Sequence, residues 1–215
     1  MTRRLSIDVV SDVVCPWCLI GVRRLEQALA AFEDVEAQIR FHPFLLDPST
    51  PEEGMDLRER LRRKYGVPAE HLFARVEAAA HESGIPLDFA KVTRSVATTR
   101  AHTLLRHALA KGTQRALQTA LLEAYFLEGR DVGDVDVLVD LATAHGFEAD
   151  EARALLRDDE ELRATRREAA ELASSGIDGV PFFILGGRLA FGGAQPVETM
   201  RRVIERALAE PEEQA

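Results

Sequence analysis

Apolar and polar residues alternate at the start of the chain: Leu5, Ile7 and Val9 are separated by Ser6 and Asp8, the period of two of a half-buried strand. Past Cys18 the period lengthens. Ile20, Leu25, Ala28 and Leu29 recur at near-helical spacing with Arg23, Arg24, Glu26 and Gln27 on the opposite side, which predicts a helix fading near Phe32. Ile39 and Phe41 alternate with Gln38, Arg40 and His42 as a second strand, before Pro43 and Pro48 turn the chain into a loop through Asp47, Ser49 and Thr50. A β-α-β unit thus opens the chain.

From about Met55 to Ser175 the helical period dominates. Helices are expected over Leu57–Tyr65, Ala69–Ser83, Thr99–Ala110, Gln114–Leu127, Asp134–His145 and Glu148 to about Ala173, punctuated by Gly66-Val67-Pro68, Gly84-Ile85-Pro86, Gly112, Gly129 and Gly146. No strand and no internal repeat is expected there. The strand pattern returns in the apolar run Val180–Leu185; Gly186-Gly187 reads as a two-residue hairpin turn and Arg188–Phe191 as the returning strand. A last helix begins near Pro196 with Val197, Met200, Val203, Ile204 and Ala207 on its apolar side, and the acidic residues 210–215 read as a frayed tail.

The two ends therefore supply β-α-β and β-β-α, and the middle supplies helices. This is an α/β chain in which residues 1–54 and 176–215 pair into one four-stranded domain. Residues 55–175 form a helical insertion, its last helix placed to rest on the sheet.

Between the first strand and the first helix stands Ser11-Asp12-Val13-Val14-Cys15-Pro16-Trp17-Cys18, which holds the only two cysteines of the chain. Cys15 falls at the helix N-cap and Pro16 at the first helical position, where a missing N–H is harmless and a fixed φ is favourable. A sulfur at an N-cap is expected to face the unpaired N–H groups of the first turn, here those of Trp17 and Cys18, and the positive end of the helix dipole. Both favour the thiolate, the reactive form of cysteine. Cys18 lies one turn further on the same face, within reach of a small-loop disulfide. An exposed attacking thiol with a second thiol behind it is the equipment of thiol–disulfide exchange. Two plainer readings compete. A structural zinc site needs four ligands, no second cysteine pair exists, and among the six histidines only His102 and His107 have paired spacing. A buried inert pair fits poorly with Pro16 and the strand-to-helix junction.

Composition narrows the function. With 215 residues, 46% of them hydrophobic, the chain is long enough for a substantial core. A net charge of −9 argues against nucleic acid, and Arg58, Arg60, Arg62, Arg63 and Lys64 lie among acidic residues as a solvated helix face. No apolar run approaches the roughly 20 residues of a membrane span. Met1-Thr2-Arg3-Arg4 leads straight into a strand without the apolar stretch of a signal peptide, so a cytoplasmic location is expected, where a C-x-x-C is more often catalytic than structural.

The arrangement resembles the thioredoxin superfamily and, within it, DsbA-like proteins with a large all-helical insertion. The segment around Cys15-Pro16-Trp17-Cys18, Phe41-His42-Pro43-Phe44, Ala124-Tyr125-Phe126 with Gly129, and Gly179-Val180-Pro181-Phe182-Phe183 followed by Gly193-Ala194-Gln195 are similar to the FrnE-like branch. The resemblance implies that Cys15 attacks and Cys18 resolves. It also implies that Val180-Pro181 is a cis-proline loop beside the cysteines, and that Pro16, Trp17, Val180 and Pro181 meet the substrate, Val180 through its main chain. Relatives often carry Asn where Ala97 stands, ahead of Thr98 and Ala101-His102, which leaves the substrate open. His102 is a candidate pocket residue, against the blander reading of a satisfied helix histidine.

The implied activity is that of a dithiol–disulfide oxidoreductase or isomerase acting on protein or glutathione-like thiols. No cofactor, metal, nucleic acid or membrane is called for, and a homodimer is open. Two alternatives remain. One is a glutathione-dependent isomerase or transferase resembling 2-hydroxychromene-2-carboxylate isomerases and kappa-class glutathione transferases, which typically lack a complete cysteine pair. The other is a non-catalytic module binding a partner in an apolar groove near Trp17 and Phe182.

Overall fold

Two strands from the start of the chain and two from its end form one sheet. β1 (Arg3–Ser11) pairs in parallel with β2 (Val35–Pro43) and antiparallel with β5 (Phe182–Leu185), which in turn pairs with β6 (Leu189–Gly192), in the order β2-β1-β5-β6. A parallel neighbour requires a crossover, and α1 (Pro16–Leu29) supplies it. The computed structural model describes residues 2–209, so the acidic tail expected over 210–215 lies outside the described residues.

One face of β1 buries Leu5, Ile7 and Val9 against Val22, Leu25 and Ala28 of α1 and Met200, Ile204 and Ala207 of α9 (Val197–Ala209). That face is the source of the alternation in sequence. Toward the end of β1 the alternation stops. Val10 and Ser11 are both fully buried, and Phe44, Leu172, Ile177 and Phe182 gather around Val10. The strand thus delivers the cysteine segment into an enclosed place.

Between β2 and β5 the chain forms β3 (Met55–Asp56), α2 (Leu57–Tyr65), α3 (Ala69–Glu82), β4 (Arg94–Ser95), α4 (Thr99–Ala110), α5 (Gln114–Phe126), α6 (Val135–Thr143), α7 (Ala149–Leu155) and α8 (Asp159–Ser174). The β3–β4 ladder corrects the expectation of no strand in this region. It pairs only Met55 with Ser95 and Asp56 with Arg94, too short to show a period. The helix expected from Glu148 to Ala173 is two helices, because the Asp158 side chain accepts from the N–H groups of Glu160 and Glu161 and starts a new one. The hairpin also departs slightly from expectation. Gly186 and Gly187 take φ of 58° and 68°, but the Leu185–Leu189 register puts Arg188 in the loop with them.

The inserted helices are fastened to the open edge of β2. Gln114, buried at the start of α5, accepts the Phe41 N–H at 2.9 Å and donates to the Phe41 carbonyl at 2.9 Å and the Leu105 carbonyl at 3.1 Å. An edge strand otherwise leaves such groups unpaired. The Ala124-Tyr125-Phe126 segment with Gly129 is also structural. The Tyr125 hydroxyl donates to the Arg94 carbonyl at 2.6 Å, and Gly129, at φ +70°, sits where a Cβ would lie 2.5 Å from the Lys91 carbonyl.

Candidate functional site

The end of β1 and the beginning of β5 are neighbours because the two strands are antiparallel, with Val10 opposite Phe182. That register brings residues 12–18 and the Val180-Pro181 dipeptide together, although they are far apart in sequence. The Val180–Pro181 bond is cis. Cys15, the N-cap of α1, has extended backbone at φ −95° and ψ 113°; its N–H donates to the Asp12 carbonyl, and its own carbonyl accepts from the N–H groups of Cys18 and Leu19.

The sulfur of Cys15 departs from expectation in two respects. It makes no cap hydrogen bond with the first turn of α1; the thiol instead donates to the Val180 carbonyl at 3.6 Å. Nor is it exposed, at 3% of its surface, because the helical core that includes Val13 and Leu19 gathers around it. Cys18 lies deeper still, at 0%. Burial pushes its thiol well above the usual range, and the adjacent Cys15 sulfur adds to that, against a hydrogen bond from the Asp12 main chain. The pair is therefore graded: one thiol at the seam with the Val180-Pro181 loop, the other sealed behind it.

A close approach holds α1 against that loop. At Gly21, one turn after Cys18, a Cβ would lie 2.8 Å from Pro181 Cγ and 3.2 Å from Phe183 Cζ. Pro181 is buried, and its carbonyl accepts from the Gly193 N–H at 2.7 Å. Arg24, one turn after Gly21, donates to the Ala194 carbonyl at 2.7 Å and to Ser83 Oγ at 2.8 Å, joining the loop after β6 to α3. The helical spacing of Cys18, Gly21 and Arg24 was available in the sequence, but nothing there said what each would meet.

Beneath the cysteines lies a polar group that sequence reasoning underrated. Asp12, 1% exposed, accepts the Leu46 N–H at 2.9 Å with one oxygen and meets Nε2 of His102 at 3.2 Å with the other. His102 is itself only 2% exposed. It is a satisfied helix histidine, but its partner stands three residues before Cys15. Beside this pair, Gln118 Nε2 donates to Ser11 Oγ at 3.3 Å while its Oε1 is unpartnered. His107 goes elsewhere, to Glu161 at 2.8 Å, so the two histidines of paired spacing do not converge. No group of three or more possible metal ligands occurs among the described residues. Ala97 lines a cavity of about 60 Å³ with Thr98, Thr99, Arg100 and residues of the β2–β3 connection, a lining that includes neither the cysteines nor Val180-Pro181.

Trp17, next to Cys18, is half-buried against the helical core, and the Arg75 guanidinium of α3 lies 5.8 Å from its ring centroid. Pro16 is half-buried beside it.

Comparison with known proteins bears on this geometry. Residues 6–205 match the family model of the DSBA-like thioredoxin domain. A crystal structure of a probable DsbA oxidoreductase, SCO1869 from Streptomyces coelicolor, is 32% identical, covers 98% of this chain and 93% of its own, and superposes with a TM-score of 0.86. The Bacillus subtilis protein YwbO is 26% identical over 208 residues, 96% of each chain. The cytosolic disulfide reductase DsbM of Pseudomonas aeruginosa, solved with GSH, is 21% identical, with 95% of this chain and 100% of that one covered and a TM-score of 0.65, a likeness of fold.

Proposed function

The chain belongs to the family of DSBA-like thioredoxin domains, and from that premise we propose that it is a dithiol–disulfide oxidoreductase in which Cys15 attacks and Cys18 resolves. The observation that carries this reading is the grading of the two thiols: Cys15 at the Val180 carbonyl, Cys18 fully enclosed with its proton held tightly.

The Cys15 thiolate attacks one sulfur of a substrate disulfide; the substrate S–S bond breaks, and its other sulfur departs as a thiolate that takes a proton from water. An arriving chain replaces the Cys15–Val180 contact, so the Val180 main chain becomes available to an extended substrate. Pro181, Pro16 and Trp17 border the same opening. Cys18 then loses its proton and attacks Cys15 Sγ, which forms the Cys15–Cys18 disulfide and releases the second substrate thiol. Because burial holds that proton on Cys18, an acceptor is needed. We assign that part to the buried Asp12 carboxylate, whose charge acts on Cys18 and which His102 meets at 3.2 Å. Run backward, the same steps oxidise a dithiol.

We place the protein in the cytoplasm, with glutathione-like thiols as partners that restore the dithiol. The described residues contain no helix long and apolar enough to cross a membrane, and a cytosolic reductase solved with GSH shares the fold.

The test is capture. Cys18→Ser should accumulate mixed disulfides with thiol partners that dissolve on adding reductant, and Cys15→Ser should accumulate almost none. If Cys18→Ser traps no partner while a glutathione-dependent isomerisation survives the substitution, the dithiol reading is wrong.

A further inference from the structure

We propose that Arg75 selects substrates carrying negative charge beside the reacting disulfide, so that the preferred small substrate is an anionic, carboxylate-bearing disulfide. This rests on the dithiol reading above and assigns it a substrate class.

α3 runs alongside α1 in the same direction: Arg24 reaches Ala79 and Ser83, and Gln27 reaches the Ser83 carbonyl at 3.2 Å, while Trp17, at the cysteine end of α1, lies under Arg75. Arg75, Ala79 and Ser83 form one i, i+4, i+8 stripe of the chain leaving α3, so the contacts of Ala79 and Ser83 with α1 fix where Arg75 falls. It falls on the ring of Trp17, one of the two residues between the cysteines.

Arg75 is exposed, and among the described residues its guanidinium makes no hydrogen bond or ion pair; its recorded partner is the Trp17 ring. Of the acidic residues on α3, Glu70 faces Arg58 at 3.4 Å, Glu77 accepts the Phe89 N–H at 2.8 Å, and Glu82 lies about two turns further along the helix. A guanidinium resting on an indole face keeps its in-plane donors free for a carboxylate, which it can hold with two parallel hydrogen bonds.

The rest of the molecule sharpens the point. At −9 the whole chain repels anions, so a preference for them has to come from a local charge. Fixed charges more than about 8–10 Å apart are largely screened at physiological salt, which leaves the group on the Trp17 ring to decide. In the exchange step Arg75 forms and breaks no covalent bond. It holds the carboxylate while Cys15 attacks the adjacent disulfide and the leaving sulfur departs as a thiolate, as written above.

The experiment uses the reduced full chain and three disulfides: oxidised glutathione (anionic), hydroxyethyl disulfide (neutral) and cystamine (cationic). Trp17, the single tryptophan, reports oxidation by its fluorescence. Each rate constant is divided by that of the same disulfide with dithiothreitol, which removes intrinsic reactivity. The corrected glutathione-to-cystamine ratio should fall roughly three- to fivefold in Arg75→Gln and about tenfold or more in Arg75→Glu. It should recover in Arg75→Lys and shrink in the wild type as salt is raised. A ratio that stays within about twofold in both Arg75→Gln and Arg75→Glu, including the case where all rates fall in parallel because Arg75 only packs on Trp17, overturns this proposal and leaves the dithiol reading standing. A wild-type protein that exchanges with none of the three also overturns this proposal, and the capture experiment with Cys18→Ser then decides the dithiol reading separately.

Discussion

The sheet with α1 and the inserted helices meet at the cysteines, and they are held together internally and to each other by different kinds of contact. Within the sheet region, main-chain ladders set positions residue by residue, and apolar side chains from Leu5 to Ala207 fill one face. The inserted helices share an apolar core with Val13, Cys18, Leu19 and Ile20, but at β2 and along the rest of α1 single polar side chains reaching long distances in sequence make the ties: Gln114 to Phe41, Arg24 and Gln27 to Ser83, Glu168 to His42, with His102 to Asp12 beneath the cysteines. A ladder distributes its load over many equivalent bonds, whereas a lone buried amide carries its own. The floor of the site should therefore be robust to single changes and the seam above it sensitive to them.

The largest effect is expected at Gln114. Truncation to Ala leaves the Phe41 N–H and carbonyl and the Leu105 carbonyl without their partner in a buried place. Leaving buried polar groups unsatisfied costs about 1–3 kcal/mol each before relaxation, so Gln114→Ala should destabilise by about 2–4 kcal/mol. Chemical denaturation measures the loss, and amide hydrogen exchange locates it: Phe41 on β2 should lose protection while Ile7 and Val9 on β1 keep theirs. Equal loss on both strands would show that seam and floor unfold as one unit.

Gly21 tests the floor itself. In Gly21→Ala the new methyl group meets Pro181 Cγ at 2.8 Å and Phe183 Cζ at 3.2 Å, so the loop or the helix has to shift. Overpacking of this kind costs about 1–3 kcal/mol, and the better helix propensity of Ala returns about 1 kcal/mol. The net loss should be about 1 kcal/mol by denaturation, with disulfide exchange slowed several-fold because Pro181 is displaced relative to Cys15. Unchanged exchange would show that the loop position is not critical to the reaction.

The same contrast explains what the sequence made legible. The strands and α1 followed from periods of two and near-helical spacing because their apolar faces are buried locally and regularly, and Cys15-Pro16 at a strand-to-helix junction marked the candidate site. The cis Val180–Pro181 bond came from resemblance, since no local pattern encodes it. The fate of the Cys15 sulfur was misread because a helix end considered alone offers only its own N–H groups; the competing Val180 carbonyl arrives from 165 residues away. Arg24 and Arg75 were illegible for the same reason, and His102 was legible as a candidate without its partner Asp12. Each sits on an ordinary amphipathic helix, and its role depends on which helix face lies across the seam.

The smallest expected effect is at the outer end of that seam and concerns pH. His42 on β2 sits between Asp8 of β1, at 2.8 Å, and Glu168 of α8, at 3.5 Å. The hydrogen bond with Asp8, then that with Glu168, raises the imidazole to about 9, and contact with His42 holds both carboxyls below their usual values. A histidine whose folded value lies above its unfolded value of about 6.5 contributes stability that is complete below pH 6.5 and is lost as pH rises through about 9. The carboxyls act in the opposite sense, contributing above the ordinary carboxylate range of roughly 4 and losing that contribution as pH falls through their lowered values. The cluster is thus strongest between about pH 5 and 6.5. With side chains 24–35% exposed, water screens much of the interaction, and about 1 kcal/mol is a fair ceiling. The stability difference between wild type and His42→Gln should accordingly be largest near pH 6 and shrink toward zero by pH 9.5. A difference that stays constant across this range would assign His42 to packing alone, leaving α8 held to the sheet by its apolar contacts and making the seam more like the floor than its polar composition suggests.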